Sequence, residues 1–170
     1  KEIAKPDPHR IRLEKKDQSV LRFNNLCLSR LDGIVCISCL NEEIRAGERI
    51  LINGNAFTGN KLFKAIAGLW PWGEGSIELP DDEPLFFMPP RPYLPTGTLR
   101  AAICYPSSHD AFSQDELEVA LEWVGCRELI AQLDQVGDWE KNMEREQQQR
   151  LGMVRLLLQR PKWILMQEAF

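Results

Sequence analysis

The sequence contains no long hydrophobic run and no excess of positive charge. None of its apolar stretches approaches the roughly 18 residues that a helix needs to cross a bilayer, so we expect no membrane span. The 25 aspartates and glutamates outnumber the 21 lysines and arginines, and the net charge of −4 argues against a nucleic-acid-binding protein. No signal peptide is visible at the charged, proline-containing N-terminus. Because the chain starts without Met, we expect a fragment or a processed form.

Histidine and closely spaced cysteine are also scarce. The chain has two histidines, His9 and His109, and five cysteines, of which Cys36 and Cys39 form the one close pair. A structural zinc site usually takes four such ligands, so we predict no metal site of this kind. The odd number of cysteines in apolar settings indicates reduced, cytosolic thiols. We expect the close pair to lie in a strand, as small buried residues.

What is present is the composition of an ordinary globular protein. Hydrophobic residues make up 44% of the chain and charged residues 27%, and a length of 170 residues is enough for one domain with a real core. We place a linker at residues 1–19 and a single domain at residues 20–170. There are no internal repeats.

Alternating and continuous apolar runs predict strands. The third predicted strand contains Ile50, Leu51 and Ile52, and we expect it, like the last one, to be buried. The predicted strands cover residues 20–28, 34–40, 49–53, 75–79, 85–88 and 163–166.

Apolar residues at helical spacing predict the helices. The pair Ser113 and Glu116 has the spacing of a capping box, and Gly125 interrupts the run that follows, so two short helices are expected there. The predicted helical regions cover residues 61–69, 113–133 and 143–159. Strands that alternate with helices are typical of an α/β fold with a largely parallel core, and the opening strands are expected to form an antiparallel side sheet.

Residues 54–61 have the layout of a phosphate-binding loop. Gly54 and Gly59 have the separation of the pattern G-x-x-x-x-G-K-[ST], after a predicted strand and before a predicted helix. Asn60 stands where the pattern has its lysine, and Lys61 where it has its hydroxyl. The pattern therefore predicts an impaired nucleotide site, although the two glycines could simply permit a turn with positive φ. The candidate nucleotide-binding residues are Gly54, Asn55, Thr58, Gly59, Asn60 and Lys61.

Three longer strings resemble one protein family. They are AIAGLWPWGEGSIELP (65–80), RPYLPTGTLRAAICYP (91–106) and EQQQRLGMVRLLLQRPKWIL (146–165). Residues 20–170 resemble the nucleotide-binding domain of ABC transporters, most of all the branch with the peroxisomal fatty-acyl transporters and their bacterial peptide-uptake relatives. The resemblance implies a P-loop NTPase-like three-layer core with an antiparallel side sheet and a small helical subdomain. It also implies truncation after Walker B, with the D-loop and the switch histidine expected beyond Phe170.

The resemblance implies ATP and Mg²⁺ as ligands, but several motif positions depart from the family. In Walker A the family lysine contacts the β- and γ-phosphates and the next hydroxyl holds Mg²⁺. Counted from Gly54, Asn60 and Lys61 take those places, whereas counted back from residues 65–69, Gly59 takes the place of the lysine. Leu62 cannot ligate a metal, and Phe57 stands in place of a glycine. Pro90 occupies the position of the Q-loop glutamine and offers no side-chain ligand.

The signature and Walker B positions are changed as well. The family signature LSGGEQQR aligns with residues 143–150, where Glu144 replaces the serine and Arg145 and Glu146 replace the glycines. In Walker B, Gln167 replaces the aspartate that helps to hold Mg²⁺. Glu168 keeps the position of the residue that polarises the attacking water and is the one candidate catalytic residue. The aromatic residue that stacks on adenine in the family is replaced by Arg30 or Leu31.

Three functions remain open on these residues. The first, which we favour, is a degenerate nucleotide-binding domain with a structural or regulatory role and weak or absent ATP hydrolysis. The second is an active ATPase that uses Lys61 and backbone N–H groups, and the third is a stand-alone interaction module. The family partners would be a fused or separate transmembrane domain and a second nucleotide-binding domain, which places this soluble chain at the cytoplasmic face of a membrane.

Other polar and aromatic residues have less specific roles. Arg91 and Tyr93 lie in the loop that family members use to contact the membrane domain, and Trp70 and Trp72 could contact a partner. We expect Arg150, Arg155 and Arg160 to form a solvated basic face of their helix.

Overall fold

The computed structural model describes residues 10–16, 19–81 and 84–167. The chain folds as two compact units, Lys1–Phe87 and Met88–Phe170. The strands and helices have mixed α/β character, which confirms the predicted fold class. Among these described residues, no helix is both long and apolar enough to span a bilayer.

The first unit is built around a twisted hairpin. Strand β2 (Val20–Ser29) pairs antiparallel with strand β3 (Val35–Arg45), which confirms both predicted strands and extends the second to Arg45. Phe23 is buried on one side of a register shift and Leu26 on the other, because a bulge near Asn25 (φ 45°) moves the buried set by one residue. The antiparallel side sheet is therefore confirmed.

Two further strands complete this four-stranded sheet, whose order is β1-β4-β2-β3. Strand β4 (Gly73–Pro80) pairs antiparallel with β2 and parallel with β1 (Arg12–Lys16). Gly73 has φ 145°, and a Cβ there would meet the Cys27 carbonyl oxygen at 1.9 Å, so the close approach of β2 and β4 requires glycine. Residues 12–16 are a strand rather than part of a linker. Residues 1–9 and 17–18 of the predicted linker lie outside the described residues.

The predicted third strand, residues 49–53, is wrong. This segment has no regular structure, and Ile50, Leu51 and Ile52 are exposed, Leu51 by 89%. An apolar run becomes a strand only where a neighbouring strand satisfies its backbone N–H and C=O groups. The edges of the described four-stranded sheet are β1 and β3, and none of its strands pairs with residues 49–53.

The close cysteine pair lies on β3, as predicted, but is not buried. Cys36 is half-buried and Cys39 is exposed with φ 52°, in a region of β3 where the register with β2 is irregular. The expectation of small buried residues is therefore wrong, because both cysteines lie near the end of a hairpin that solvent reaches.

Helix α1 (Ala56–Ile66) begins five residues earlier than predicted. Asn55 caps it, and asparagine is among the best N-cap residues because its short side chain accepts an N–H of the first turn. The apolar face of α1 is buried through Leu62, Ala65 and Ile66. Strand β5 (Leu85–Met88) follows β4 and has its predicted bounds.

The second unit is mainly helical. Helix α3 (Gln114–Trp123) opens with the predicted capping box of Ser113 and Glu116, and Gly125 (φ 72°) separates it from a 3₁₀ turn. The short strands β6 and β7 pair antiparallel. The elements are β6 (Gly97–Thr98), α2 (Leu99–Cys104), α3 (Gln114–Trp123), the 3₁₀ turn Arg127–Gln132, β7 (Val136–Gly137), α4 (Trp139–Asn142), α5 (Arg145–Gln159) and β8 (Trp163–Met166).

The core of this unit lies between α2, α3 and α5. Its fully buried side chains include Leu99, Ile103, Leu117, Leu121 and Leu151. The predicted helix α5 and strand β8 are confirmed, but β8 is only partly buried: Trp163 is covered and Ile164 is exposed.

The basic face predicted for α5 is wrong for Arg155. This arginine is 6% exposed, and its Nε and Nη2 atoms donate to the Ala102 carbonyl oxygen at 3.1 and 2.6 Å. Arg150 is half-buried and donates to the Gly125 carbonyl at 3.3 Å, whereas Arg160 is exposed. Spacing alone did not reveal that the guanidinium of Arg155 satisfies a backbone oxygen in the core.

Candidate functional site

The loop predicted to hold phosphate is largely the first turn of α1. The Asn55 side chain accepts the Thr58 N–H at 2.8 Å, and the Gly59 N–H donates to the Asn55 carbonyl at 3.1 Å. Neither Gly54 nor Gly59 has positive φ, so the prediction that they permit such a turn is wrong. Asn55, Thr58 and Gly59 are brought together by helix capping.

Lys61 lies against two aromatic rings. Its Nζ is 3.5 Å from the centroid of the Trp70 ring and 5.1 Å from that of Phe57. Phe57 and Lys61 are four residues apart on α1, so their side chains share one helix face. We call Phe57 and Trp70 the aromatic clamp. An ammonium group over an aromatic face gains about 0.5–2 kcal/mol, depending on how far water is excluded.

The clamp is fixed to the end of strand β2. The Trp70 indole Nε1 donates to the Ser29 carbonyl at 3.0 Å, and the guanidinium carbon of Arg30 lies 5.5 Å from the Phe57 ring centroid. Arg30 also forms an ion pair with Asp32 at 3.1 Å. Two cations and two rings from three segments of the first unit are therefore held in one cluster.

The remaining candidates on α1 have less specific surroundings. Asn60, at the position of the family lysine, is half-buried within the second turn of the helix, and Leu62 is buried in the core of the unit. Phe57 is 47% exposed. Because α1 begins at Ala56, Gly59, Asn60 and Lys61 lie on a helix, whereas the motif predicted that they would lie at the end of a loop.

In the second unit, Pro90 is tied to helix α5. Its carbonyl oxygen accepts the Gln149 Nε2 at 3.2 Å. The neighbouring Arg91 is exposed, and Tyr93 is exposed with its ring packed edge-on against Tyr105, the two centroids 5.5 Å apart. Pro90, at the predicted Q-loop position, is thus joined through its backbone to the helix that carries the predicted signature positions.

The signature positions form the exposed N-terminus of α5. Glu144 is the N-cap residue with extended geometry (φ −67°, ψ 155°), and Arg145 and Glu146 lie in the first turn. Glu146 binds Arg150 at 2.7 Å, and this ion pair raises the pKa of the Arg150 guanidinium. Carboxylates are favourable beside the positive end of a helix, so Glu144 and Glu146 occupy the place where an anionic ligand would bind.

A buried glutamine fixes the turn before α5. Gln148 Nε2 donates to the carbonyls of Glu140 and Met143 at 2.8 and 2.9 Å. The side chain is 1% exposed. This part of the signature resemblance therefore has a structural role, closing the turn between α4 and α5.

The Walker B positions follow strand β8. The Gln167 backbone N–H donates to the Met88 carbonyl at 3.0 Å, and its side chain is half-buried. Glu168 lies outside the described residues, so its catalytic role stays a prediction. Residues 54–61 belong to the first unit, whereas Pro90, Glu144, Arg145, Glu146 and Gln167 belong to the second.

Sequence reasoning missed two arrangements. The four-residue spacing of Phe57 and Lys61 could have predicted their contact on one helix face. No sequence pattern predicted that Trp70 would lie against the Lys61 ammonium group. The signal for Arg155 was Pro106: a proline four residues after Ala102 has no N–H for that helical carbonyl, which then needs another donor.

No family model matches the chain. An uncharacterized ABC transporter ATP-binding protein of Haemophilus influenzae is 34% identical over 148 residues, which cover 86% of this chain and 25% of that protein. Human ATP-binding cassette sub-family D member 3 is 30% identical over 160 residues, which cover 89% of this chain and 24% of that protein. The chain therefore spans about a quarter of the length of these curated relatives.

A solved structure has the same fold. A bacterial Atm1-family ABC exporter with ATP bound matches with a TM-score of 0.72 and 22% identity, over 96% of this chain and 31% of that one. The relatives share the family name predicted from the three sequence strings. The homologues of this chain are thus ABC transporter ATP-binding proteins, among them members of sub-family D, and the predicted family is confirmed.

Proposed function

We propose that this chain is a nucleotide-binding domain of an ABC transporter with a structural or regulatory role and weak or absent ATP hydrolysis. The observation that carries the proposal is the helical start of α1. The Gly59 N–H already donates to the Asn55 carbonyl, and Lys61 lies on the aromatic clamp. A phosphate group at this position would have to compete with both contacts.

The residue types at the predicted Mg²⁺ positions do not suit Mg²⁺ either. A hard cation prefers charged oxygen ligands, and the Gln167 side chain is a neutral amide. Leu62, next to Lys61, is buried and apolar. The carboxylates of Glu144 and Glu146, at the start of α5, would repel the polyphosphate of a nucleotide held by a second nucleotide-binding domain. We therefore assign no catalytic step to ATP or Mg²⁺ in this chain.

The role of the domain would then be to dock. The domain would lie beside the transmembrane part of a transporter, at the cytoplasmic face of a membrane, with a second nucleotide-binding domain as the other partner. The names of its relatives, which are ABC transporter ATP-binding proteins, support this proposal. Arg91 and Tyr93 are both exposed in the second unit and are the residues proposed to contact the transmembrane domain. Exposed aromatic and arginine side chains are the residue types that most often anchor protein interfaces.

Calorimetric titration of MgATP into the 170-residue chain tests this proposal. We expect no saturation below about 1 mM, a binding free energy weaker than about 4 kcal/mol. Micromolar binding would overturn the proposal and favour the active ATPase. A stand-alone module would instead bind neither MgATP nor the transmembrane domain of an ABC transporter.

Restoring the family residues separates two causes of weak binding. The variants Asn60→Lys and Gln167→Asp return the missing charges, and Asn60→Gln and Gln167→Asn are the matched controls. If lost side chains are the cause, the double restoration tightens MgATP binding by at least about tenfold, which is about 1.4 kcal/mol. An unchanged affinity would assign the weakness to the helical start at Ala56.

A further inference from the structure

The aromatic clamp holds the one lysine that the phosphate-loop pattern brings near the start of α1. Lys61 is half-buried, and its ammonium group is closer to Trp70 than to Phe57. Trp70 cannot swing away freely, because its indole N–H is bonded to the Ser29 carbonyl. Phe57 is the more exposed of the two rings and also faces Arg30.

The Lys61 side chain carries its charge toward the N-terminus of α1. Every Cα–Cβ bond of a helix tilts toward the helix N-terminus, so the lysine stem already leads in that direction. Phe57 lies four residues, about 6 Å along the axis, before Lys61. The ammonium group, which contacts the Phe57 ring, therefore lies beside the first turn of α1, which Asn55 caps and Thr58 belongs to. The positive end of the helix favours an anion at the same place.

We propose that Phe57 and Trp70 form an autoinhibitory contact that withholds Lys61 from the polyphosphate of a nucleotide. The proposal rests on the proposed function, since it explains the weak binding expected of this site. Polyphosphate and the aromatic rings compete for the same ammonium group. Arg30 contacts the Phe57 ring as well, but it also has an ion pair with Asp32, so Lys61 is the cation that the rings withhold.

Binding measurements on two ring variants test the clamp. The probes are MgATP, inorganic tripolyphosphate and adenosine, titrated into the wild-type chain, Trp70→Leu and Phe57→Leu. We expect each variant to bind MgATP and tripolyphosphate about two- to thirtyfold more tightly, the range of a lost cation–π contact, with adenosine unaffected. A tighter affinity for adenosine alone, or an unchanged affinity for both phosphates, would overturn the proposal.

Two lysine variants make the test specific. In a Lys61→Gln background, Trp70→Leu should no longer tighten binding of tripolyphosphate. Lys64→Gln removes an exposed lysine one turn further along α1 and should leave the gain intact. A gain that survives Lys61→Gln would contradict the clamp. If Trp70→Leu fails to fold because Ser29 loses its donor, Phe57→Leu carries the test.

A spectroscopic readout follows Lys61 directly. Aromatic ring currents should shift the ε-methylene protons of Lys61 upfield in the wild-type chain, and Trp70→Leu or saturating tripolyphosphate should return them to ordinary values. An unshifted resonance in the wild type would overturn the clamp. Micromolar MgATP binding by the wild type would instead overturn the proposed function, and the ratio of variant to wild-type affinity would still decide whether the clamp exists.

Discussion

Pro106 leaves a backbone acceptor of α2 without its usual donor, and Arg155 supplies one. The Ala102 carbonyl would accept from the residue four positions later, but proline has no N–H. Arg155 donates twice to this oxygen from α5, and its guanidinium lies 5.3 Å from the Tyr105 ring centroid. Burial lowers the pKa of Arg155 to about 10, and the guanidinium still carries its charge at pH 7.

Replacing Arg155 should therefore destabilise the chain. Arg155→Ala removes both donors and leaves the Ala102 carbonyl buried and unpaired, which we expect to lower the free energy of unfolding by about 2–3 kcal/mol. Urea unfolding followed by circular dichroism measures the change. Arg91→Ala, at an exposed arginine of the same unit, should stay within about 0.5 kcal/mol of wild type. Equal effects at the two positions would contradict the role of Arg155.

At the scale of elements, Gly59 is an ordinary helix residue with room for a methyl group. A Cβ at Gly59 would meet nothing within 4 Å, and the residue lies inside α1. Gly59→Ala should raise the free energy of unfolding by about 0.5–1 kcal/mol, because alanine loses less backbone entropy in a helix. Chemical denaturation of the variant and the wild type measures this difference.

Gly152 provides the matched control on another helix. It lies in α5, where a Cβ would be 3.1 Å from the Met88 Cε and 3.4 Å from the Pro92 Cγ. This crowding should offset the stabilisation that alanine gives over glycine in a helix, so Gly152→Ala is expected to raise the free energy of unfolding less than Gly59→Ala does. A destabilising Gly59→Ala would indicate that residues 54–61 form a phosphate loop after all.

The capping box of α3 makes its stability depend on pH. The Ser113 backbone N–H and hydroxyl both donate to Glu116, and these hydrogen bonds lower the pKa of the Glu116 carboxyl. Because the pKa of Glu116 is lower in the folded chain than its value near 4.5 in the unfolded chain, ionised Glu116 stabilises the fold above pH 4.5. This stability is lost as the pH falls through the pKa of the folded chain.

Ser113→Ala should therefore cost more at pH 7 than at low pH. At pH 7 the lost cap is expected to lower the free energy of unfolding by about 1 kcal/mol. Urea titrations at pH 7 and about pH 3 compare the difference, which should shrink once Glu116 is protonated in both states. In a Glu116→Gln background the cost should not change with pH. A constant cost in both backgrounds would show that the Glu116 charge plays no part.

Local signals were enough to predict most elements. Period-2 runs predicted the β2–β3 hairpin, and the Ser113 capping box predicted the start of α3, because each depends on neighbours in the chain. The start of α1 was missed because the glycine pattern outweighed the N-cap signal of Asn55. The segment 49–53 was missed because strand formation depends on partners that are distant in sequence.

The candidate site could be predicted only as positions in a motif. Alignment with the family assigned Asn60, Pro90 and Gln167 to their places, and their roles stay predictions. The motif did not predict which groups each side chain contacts. Lys61 contacts Trp70, which follows α1 and is bonded to the end of β2, and Arg155 of α5 contacts Ala102 of α2. Such contacts depend on tertiary packing, which a spacing of residues does not encode.

Across the whole molecule, the protection of backbone amides against hydrogen exchange should differ between the hydrogen-bonded elements and residues 49–53. The helical unit has a continuous core, and β2 is a central strand bonded on both sides by β3 and β4. Residues 49–53 have no regular hydrogen bonding, and Ile50, Leu51 and Ile52 are exposed. Amide protons exchange at rates set by local opening, which costs little where such bonds are missing.

Native-state hydrogen exchange followed by NMR would check this division. We expect residues 49–53 to exchange with protection factors below about 10, whereas amides of β2 and α5 exchange through near-global unfolding. The internal reference is Leu26 and Leu28 of β2, which are as apolar as residues 50–52 but buried. Strong protection of residues 49–53 would mean that they form the buried strand predicted from sequence. The phosphate-loop geometry would then become accessible to this chain.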